Sequence, residues 1–417
     1  MTARQLSMRP SIVVVSHFEA SAVGHGGMHR SLQVESDARK LVGDDHVTVL
    51  SLDRWRAARQ RSEAHNGHIG AGVGLSRSLR RYQVRARQLR DNPFKVFRIG
   101  RFATAIPFST TAWVEEQFVA EYERLVAADD KPKVCVIEHA VFGAIVELNR
   151  RLGIPTISAF HNLEALDVTR FDWRSRRNVL TIMTDLGNEL RLLGDCTARL
   201  SISKVEAGFI GGLGLDCQYY PYLPVGVLRE RLMATRAKRE AVRTRGGPIV
   251  LLGSAGHAVT ADSMRWFLAQ VLDQGLPPEV GIVAVGSDTD VLLEKPPARV
   301  ELRGWVNQPD LDALLMQASA VVIPQQSGFG ALTRLPELAC AGVPVIAFGH
   351  PVLAINPTPG LHVVPHDWRC LSRAMQEAAA EVRTVSSDEY QDWERAQPRP
   401  LANALATALC HDDPVPT

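Results

Sequence analysis

The chain has 417 residues, more than one hydrophobic core usually organises, so we expect two domains of ordinary size. Hydrophobic residues make up 46% and charged residues 22%, which excludes a disordered or fibrous chain. The 47 Lys and Arg residues nearly balance the 45 Asp and Glu residues, and the net charge of +2 excludes nucleic acid as the main partner.

The cysteines and the amino-terminal segment indicate the compartment. The six cysteines are scattered, with no C-x-x-C pair and no histidine at zinc-finger spacing, so we predict neither a disulfide framework nor a metal site. The apolar stretch at residues 12–15 is too short for a signal peptide and indicates a first strand. No apolar run approaches the roughly eighteen residues of a membrane span. We therefore predict a cytoplasmic protein.

Short β-branched runs alternate with longer segments of helical periodicity along the whole chain. This alternation is typical of parallel sheets with crossover helices, so the predicted class is α/β. The strand-like runs of the first half are residues 12–15, 46–50, 134–137, 155–160 and 199–202. The alternation restarts in the second half with residues 249–252, 282–285, 300–302, 320–323, 345–348 and 362–364.

The two halves are separated by residues 219–248, where a stretch rich in Tyr and Pro precedes a charged stretch and Gly246-Gly247-Pro248. Such a shift of composition is typical of a domain junction. The helical segment near the carboxyl terminus could cross back to the first domain. The predicted units are an N-terminal Rossmann-like domain (1–225), a linker (226–247), a C-terminal Rossmann-like domain (248–385) and a terminal helix with a frayed tail (386–417).

The most informative stretch runs from a strand through a glycine loop and a helix to the next strand, over residues 323–345. Gly328 and Gly330 lie in the loop, and Thr333 is placed to cap the helix through its hydroxyl. The free backbone N–H groups and the positive end of the helix would then face the loop. Together with Arg334 in the first turn, they could bind a diphosphate.

Glu337 lies one turn further along the same helix, where its carboxylate could accept hydrogen bonds from two ribose hydroxyls. Each of these residues taken alone has a simpler interpretation as part of a turn or of a solvated surface. At the carboxyl end of a strand in an open α/β sheet, where ligands generally bind, their combination favours a nucleotide site.

The chain resembles the retaining glycosyltransferases of family 4, which have the GT-B fold of two Rossmann-like domains facing a central cleft. In the C-terminal half the resemblance rests on Gly253-Ser254, on Gly304-Trp305-Val306, and on Glu337 followed by Gly342-Val343-Pro344-Val345. In the N-terminal half it rests on Gly26-Gly27 after the first strand and on His161-Asn162-Leu163-Glu164 after a middle strand.

The resemblance implies transfer of a hexose-type sugar from a nucleoside diphosphate-sugar to an acceptor hydroxyl, with retention of the anomeric configuration. Glu337 would hold the donor ribose, Arg334 would bind the diphosphate, and His161 would contact the transferred sugar or the acceptor. His161 and Arg334 are therefore the catalytic candidates. No cofactor is required. The donor-binding candidates are Gly26, Gly27, Ser254, Gly328, Phe329, Gly330, Thr333, Arg334 and Glu337.

Two departures from the family pattern leave alternatives open. Many members carry a second glutamate ahead of the one equivalent to Glu337, but here Phe329 stands at that position and Ser327 lies nearest to the missing acid. The Arg and Lys pair that usually follows the first C-terminal strand is also absent. A sugar-nucleotide epimerase of the same architecture and a degenerate, non-catalytic binding protein therefore remain alternatives.

Three further features have a functional and a structural interpretation. Residues 77–101 form a local basic cluster, which could meet anionic lipid headgroups at the inner face of the membrane or a phosphorylated acceptor, although a solvated helix face is simpler. The acceptor itself could be a small molecule or a lipid-linked molecule. His25 and His29 have i,i+4 spacing, but no third ligand is indicated and we predict no metal there. Trp305 could stack near the donor base, although a core position is more usual for such a residue.

Overall fold

The structure is a computed structural model that describes residues 10–65, 114–128, 131, 133–167, 176–241, 246–326, 328, 330–380 and 384–410. The basic cluster at residues 77–101 lies outside these described residues. Within them, no helix combines the length and the apolar character that crossing a membrane requires.

The N-terminal half forms one parallel sheet. Its strands are β1 (Ser11–Ser16), β2 (Val47–Ser51), β3 (Lys133–Ile137), β4 (Thr156–Ser158), β5 (Ala198–Ser201) and β6 (Gln218–Tyr219). Their order across the sheet is β2-β1-β3-β4-β5-β6. Strands β1 and β3 are central and apolar on both faces, as strands covered by helices on both sides must be. Strand β6 was not predicted because two residues carry no detectable periodicity.

The C-terminal half forms a second parallel sheet. Its strands are β7 (Ile249–Leu252), β8 (Ile282–Val285), β9 (Val300–Leu302), β10 (Ala320–Ile323), β11 (Val345–Phe348) and β12 (Leu361–Val364). Their order is β12-β11-β10-β7-β8-β9, with β7 between β10 and β8. The predicted α/β class, with two Rossmann-like parallel sheets, is confirmed.

Helices cover both sheets. Those of the first half are α1 (Gly26–Val42), α2 (Leu52–His65), α3 (Glu116–Ala127), α4 (Gly143–Leu152), α5 (Glu164–Asp167), α6 (Arg176–Gly194) and α7 (Lys204–Gly212). Those of the second half are α8 (Gly226–Ala241), α9 (Ala258–Gln274), α10 (Gln308–Gln317), α11 (Arg334–Cys340), α12 (Gly349–Leu353) and α13 (Trp368–Ala380). The chain continues through α14 (Ser387–Arg395) and α15 (Leu401–Cys410).

The predicted linker region contains helix α8, which packs on the second half. Arg239 on this helix donates hydrogen bonds from Nη1 to the carbonyl oxygens of Leu315 at 2.5 Å and Ala318 at 2.8 Å. Since a buried guanidinium is stable only when such acceptors surround it, these contacts anchor α8 to the end of α10.

The predicted terminal helix is two helices, α14 and α15, because Pro398 and Pro400 interrupt it. Ile12 and Val14 of β1 are buried in one cluster with four residues of α15, which are Leu401, Ala404, Leu405 and Ala408. The last helix therefore covers the N-terminal sheet, although it follows the second half in the chain.

Candidate active site

The loops at the carboxyl ends of the two sheets meet in a cleft. The backbone N–H of Gly330, between β10 and α11, donates a hydrogen bond to Glu206 Oε1 of α7 at 3.0 Å. The same carboxylate oxygen accepts a hydrogen bond from the N–H of Leu163 at 3.2 Å. Glu206 therefore joins the predicted donor loop to the loop that follows β4.

Helix α1 begins at Gly26, where the ring of His25 caps it. His25 Nδ1 accepts a hydrogen bond from the N–H of Gly27 at 3.2 Å. A Cβ on Gly26 would lie 2.2 Å from Thr333 Oγ1, and one on Gly27 would lie 2.5 Å from Phe18 Cε2. The missing side chain at Gly26 therefore lets helix α1 contact Thr333 of the second half. The missing side chain at Gly27 leaves room for the ring of Phe18.

Thr333 does not cap helix α11, so that prediction is wrong. Its backbone is already helical, with φ −58° and ψ −28°, and its side chain makes no capping hydrogen bond. The N-cap geometry needs an extended backbone that turns the hydroxyl toward the helix amides. Here the hydroxyl faces Gly26 of the opposite half instead.

Arg334 lies at the carboxyl ends of β7 and β10. Its Nη1 donates to the carbonyl oxygen of Leu252 at 2.7 Å, and its Nη2 donates to Gln325 Oε1 at 3.1 Å. Its Nε is buried and has no hydrogen-bond partner among the described residues. Burial lowers the pKa of Arg334 to about 10, so the guanidinium stays charged at neutral pH. The structure thus holds a partly buried cation at this edge, and its Nε–H has no acceptor within the described ranges.

Glu337 joins the two halves of the chain. Its Oε1 accepts a hydrogen bond from the Tyr222 hydroxyl at 2.8 Å and lies 2.7 Å from Nδ1 of His29 on α1. The carboxylate predicted to bind ribose therefore already has two protein partners. His25 and His29 do not act as a pair, because one caps α1 and the other contacts Glu337.

His161 lies at the floor of the cleft against a buried acid. Its Nε2 is 3.0 Å from Oε2 of Glu138, which also accepts a hydrogen bond from the Ser31 hydroxyl at 2.5 Å. Burial raises the pKa of Glu138 to about 7. Burial, with a smaller contribution from Arg30, lowers the pKa of His161 well below its usual range. The imidazole is therefore neutral near pH 7.

Glu138 and His139 were not among the predicted site residues. The ring centroid of His139 lies 4.2 Å from that of His161, and burial lowers the pKa of His139 well below its usual range. Both residues directly follow the buried strand β3, whose carboxyl end neighbours that of β4. Polar residues at this position of a parallel sheet were the signal that could have identified them.

The remaining candidates lie around the C-terminal side of the cleft. Ser254 is exposed after β7, and its hydroxyl accepts a hydrogen bond from the N–H of Gly256 at 3.2 Å. Gly328 and Gly330 have φ of +136° and +73°, which disfavour any residue with a Cβ. Phe329 and Ser327 lie outside the described residues. Trp305 is 72% exposed, so it is not a core residue.

Two Rossmann-like sheets whose carboxyl edges face one cleft define the GT-B class of fold. Sucrose-phosphate synthase from Thermosynechococcus elongatus has a TM-score of 0.57 and 15% identity to this chain, over 96% of both chains. HepE from Anabaena, solved in complex with UDP, has a TM-score of 0.55 and 11% identity over 95% of this chain and 98% of its own. Trehalose 6-phosphate synthase from Burkholderia multivorans has a TM-score of 0.53 and 12% identity over 96% and 98%.

These likenesses confirm the predicted GT-B fold. No protein-family model matches the chain, and no curated protein matches its sequence. Membership of family 4 and retention of configuration therefore stay predictions.

Proposed function

We propose that the chain is a glycosyltransferase that moves a hexose-type sugar from a nucleoside diphosphate-sugar to an acceptor hydroxyl, with retention of configuration. One observation carries the proposal. Arg334 and Glu337, one turn apart on α11, lie in a cleft whose opposite wall holds the start of α1 and the Glu138–His161 pair. A cation for a diphosphate, an acid for a ribose and a neutral imidazole for a sugar thus share one cleft.

Arg334 is the proposed diphosphate ligand. Its Nε has no partner within the described part of the chain, and its Nη atoms are held by Leu252 and Gln325. A guanidinium fixed in this way can present a charged N–H to a phosphate oxygen. It would also stabilise the negative charge that develops on the departing diphosphate.

Glu337 is the proposed ribose ligand. Ribose hydroxyls would join or replace Tyr222 and His29 as its hydrogen-bond donors. Since those two side chains belong to the segments that face α11 across the cleft, donor binding is coupled to the contact between the two halves.

His161 is proposed to contact the transferred sugar or the acceptor rather than to act as a nucleophile. The departing diphosphate would take the proton of the incoming hydroxyl on the same face of the sugar, so the protein need not supply a catalytic carboxylate. Glu138 fixes the orientation of the imidazole through the bond to Nε2.

The first nucleotide to test is UDP, because HepE was solved with UDP. The acceptor class that we propose is a small molecule or a lipid-linked molecule, and the proposed location is the cytoplasm.

Thermal unfolding with UDP, GDP, TDP and ADP in turn tests the proposal. A nucleotide at about a hundredfold excess over its dissociation constant adds about 2.7 kcal/mol to stability. We expect one nucleotide to raise the melting temperature. Arg334→Ala should abolish this rise, whereas Arg373→Ala, at an exposed arginine on α13, should leave it intact.

If no nucleotide raises the melting temperature, the result favours the non-catalytic binding protein. If a nucleotide still raises it in Arg334→Ala, the assignment of Arg334 as the diphosphate ligand is refuted. Product analysis without an acceptor separates the two enzyme classes. Release of an epimerised free sugar would identify an epimerase instead.

A further inference from the structure

Three side chains that can bind a metal converge at the floor of the cleft. Glu138 and His139 follow strand β3, and His161 follows the neighbouring strand β4. One ligand atom from each of the three lies within 4.8 Å of the others. Parallel pairing of β3 and β4 brings them together, because the carboxyl ends of adjacent parallel strands share one edge.

Two polar atoms of this cluster have no hydrogen-bond partner in the part of the chain that the structure describes. Oε1 of Glu138 and Nδ1 of His139 are buried and have no partner among the described residues. Glu138 is 0% exposed and His139 is 8% exposed, so bulk water does not readily satisfy these atoms. Buried unpaired polar atoms are costly, and a bound cation would relieve the cost at the carboxylate.

The donor set selects a class of metal. Two imidazoles and one carboxylate, with a fourth position left open, form a common zinc set, whereas Mg²⁺ and Ca²⁺ prefer oxygen ligands. The Ser31 hydroxyl, which donates to Glu138, would be the outer partner that orients the carboxylate.

We propose that Glu138, His139 and His161 form a binding site for a divalent transition-metal ion, with Zn²⁺ as the preferred ion. On binding, the metal replaces the proton shared between Glu138 Oε2 and His161 Nε2, and that proton leaves to solvent. A metal ion bound at this site would hold the His161 side chain away from the sugar and would thereby inhibit sugar transfer. This inhibition rests on the proposed function, whereas metal binding itself does not.

Co²⁺ is the probe for this site, because its visible absorption reports the number and kind of its ligands. The untagged protein, freed of metals and carrying Cys370→Ser and Cys410→Ser at the two exposed cysteines, is titrated with Co²⁺. We expect one ion per chain with nitrogen and oxygen ligation, displaced by Zn²⁺. His139→Ala and, separately, Glu138→Gln should weaken binding by at least about tenfold. His362→Ala, at an exposed histidine on β12, is the matched control and should leave Co²⁺ binding unchanged.

Absence of Co²⁺ absorption in the protein that carries only Cys370→Ser and Cys410→Ser overturns the proposal, whatever the further variants do. Binding that is unchanged in both His139→Ala and Glu138→Gln overturns it as well. Thermal unfolding without metal shows whether each variant folds, and the conservative Glu138→Gln keeps the shape of the site. If Co²⁺ binds while no nucleotide shifts the melting temperature, the proposed transferase function fails and the metal site stands.

Discussion

Glu337 Oε1 lies 2.7 Å from His29 Nδ1, which joins helix α11 of the second half to helix α1 of the first. Both side chains are largely buried, at 18% and 8% exposure, so the contact is shielded from bulk water. The acid that we assign to the donor ribose is thus also a bridge across the cleft. Any ligand at Glu337 must compete with or extend this bridge.

Glu337→Gln should weaken UDP binding by about tenfold or more, because a hydrogen bond to a charged group contributes roughly 1.5–3 kcal/mol. Binding of 2′,3′-dideoxy-UDP, which lacks both ribose hydroxyls, should change little. Calorimetric titration of the two ligands measures the difference. Glu377→Gln, at an exposed pair on α13, is the control. An equal loss for both ligands would exclude a ribose contact.

Gly26→Ala should impair closure of the cleft, because the new Cβ would lie 2.2 Å from Thr333 Oγ1. We expect a loss of about 1–3 kcal/mol in stability, as for other overpacked sites, and weaker UDP binding. Denaturant unfolding and UDP titration measure the two effects.

The matched control for this substitution is Gly208→Ala on α7, where an added Cβ meets no atom of the described residues within 4 Å. Thr333→Ala combined with Gly26→Ala should restore part of the loss, since it removes the hydroxyl that causes the clash. If Gly26→Ala behaves like Gly208→Ala, the two loops do not touch in solution.

Glu138→Gln should change how stability depends on pH. Burial raises the pKa of Glu138 from 4.5 to about 7, so in this range the folded chain binds more protons than the unfolded chain. The wild type should therefore lose stability relative to Glu138→Gln as pH rises from 4.5 to about 7, by about 1.4 kcal/mol per pH unit. Urea unfolding of both proteins across this range tests the slope. If the difference in free energy of unfolding between the two proteins stays constant across this range, Glu138 has an ordinary pKa.

His139→Asn should show the opposite slope. Burial, followed by the neighbouring His161, lowers the pKa of His139, so below 6.5 the unfolded chain binds more protons than the folded chain. The wild type should lose stability relative to His139→Asn as pH falls below 6.5, by about 1.4 kcal/mol per pH unit until the folded pKa is reached. Parallel stability curves for His139→Asn and wild type would contradict the burial of His139.

The architecture could be predicted from local patterns. The runs at residues 12–15 and 249–252 coincide with the cores of β1 and β7, because a strand buried on both faces must be apolar at every position. Glycines after strands and the helix after β10 were likewise visible in the sequence. These features depend on neighbours within a few residues, and a linear pattern records them.

The partners of the candidate residues were decided only by the tertiary structure. His29 and Glu337 are 308 positions apart, and no periodicity reports that their side chains meet. Glu138 and His139 became candidate site residues only because the pairing of β3 with β4 places His161 beside them. The Thr333 hydroxyl faces Gly26 rather than its own helix for the same reason. The sequence by itself determined which segments are buried, whereas packing between distant segments determined which polar groups share the cleft.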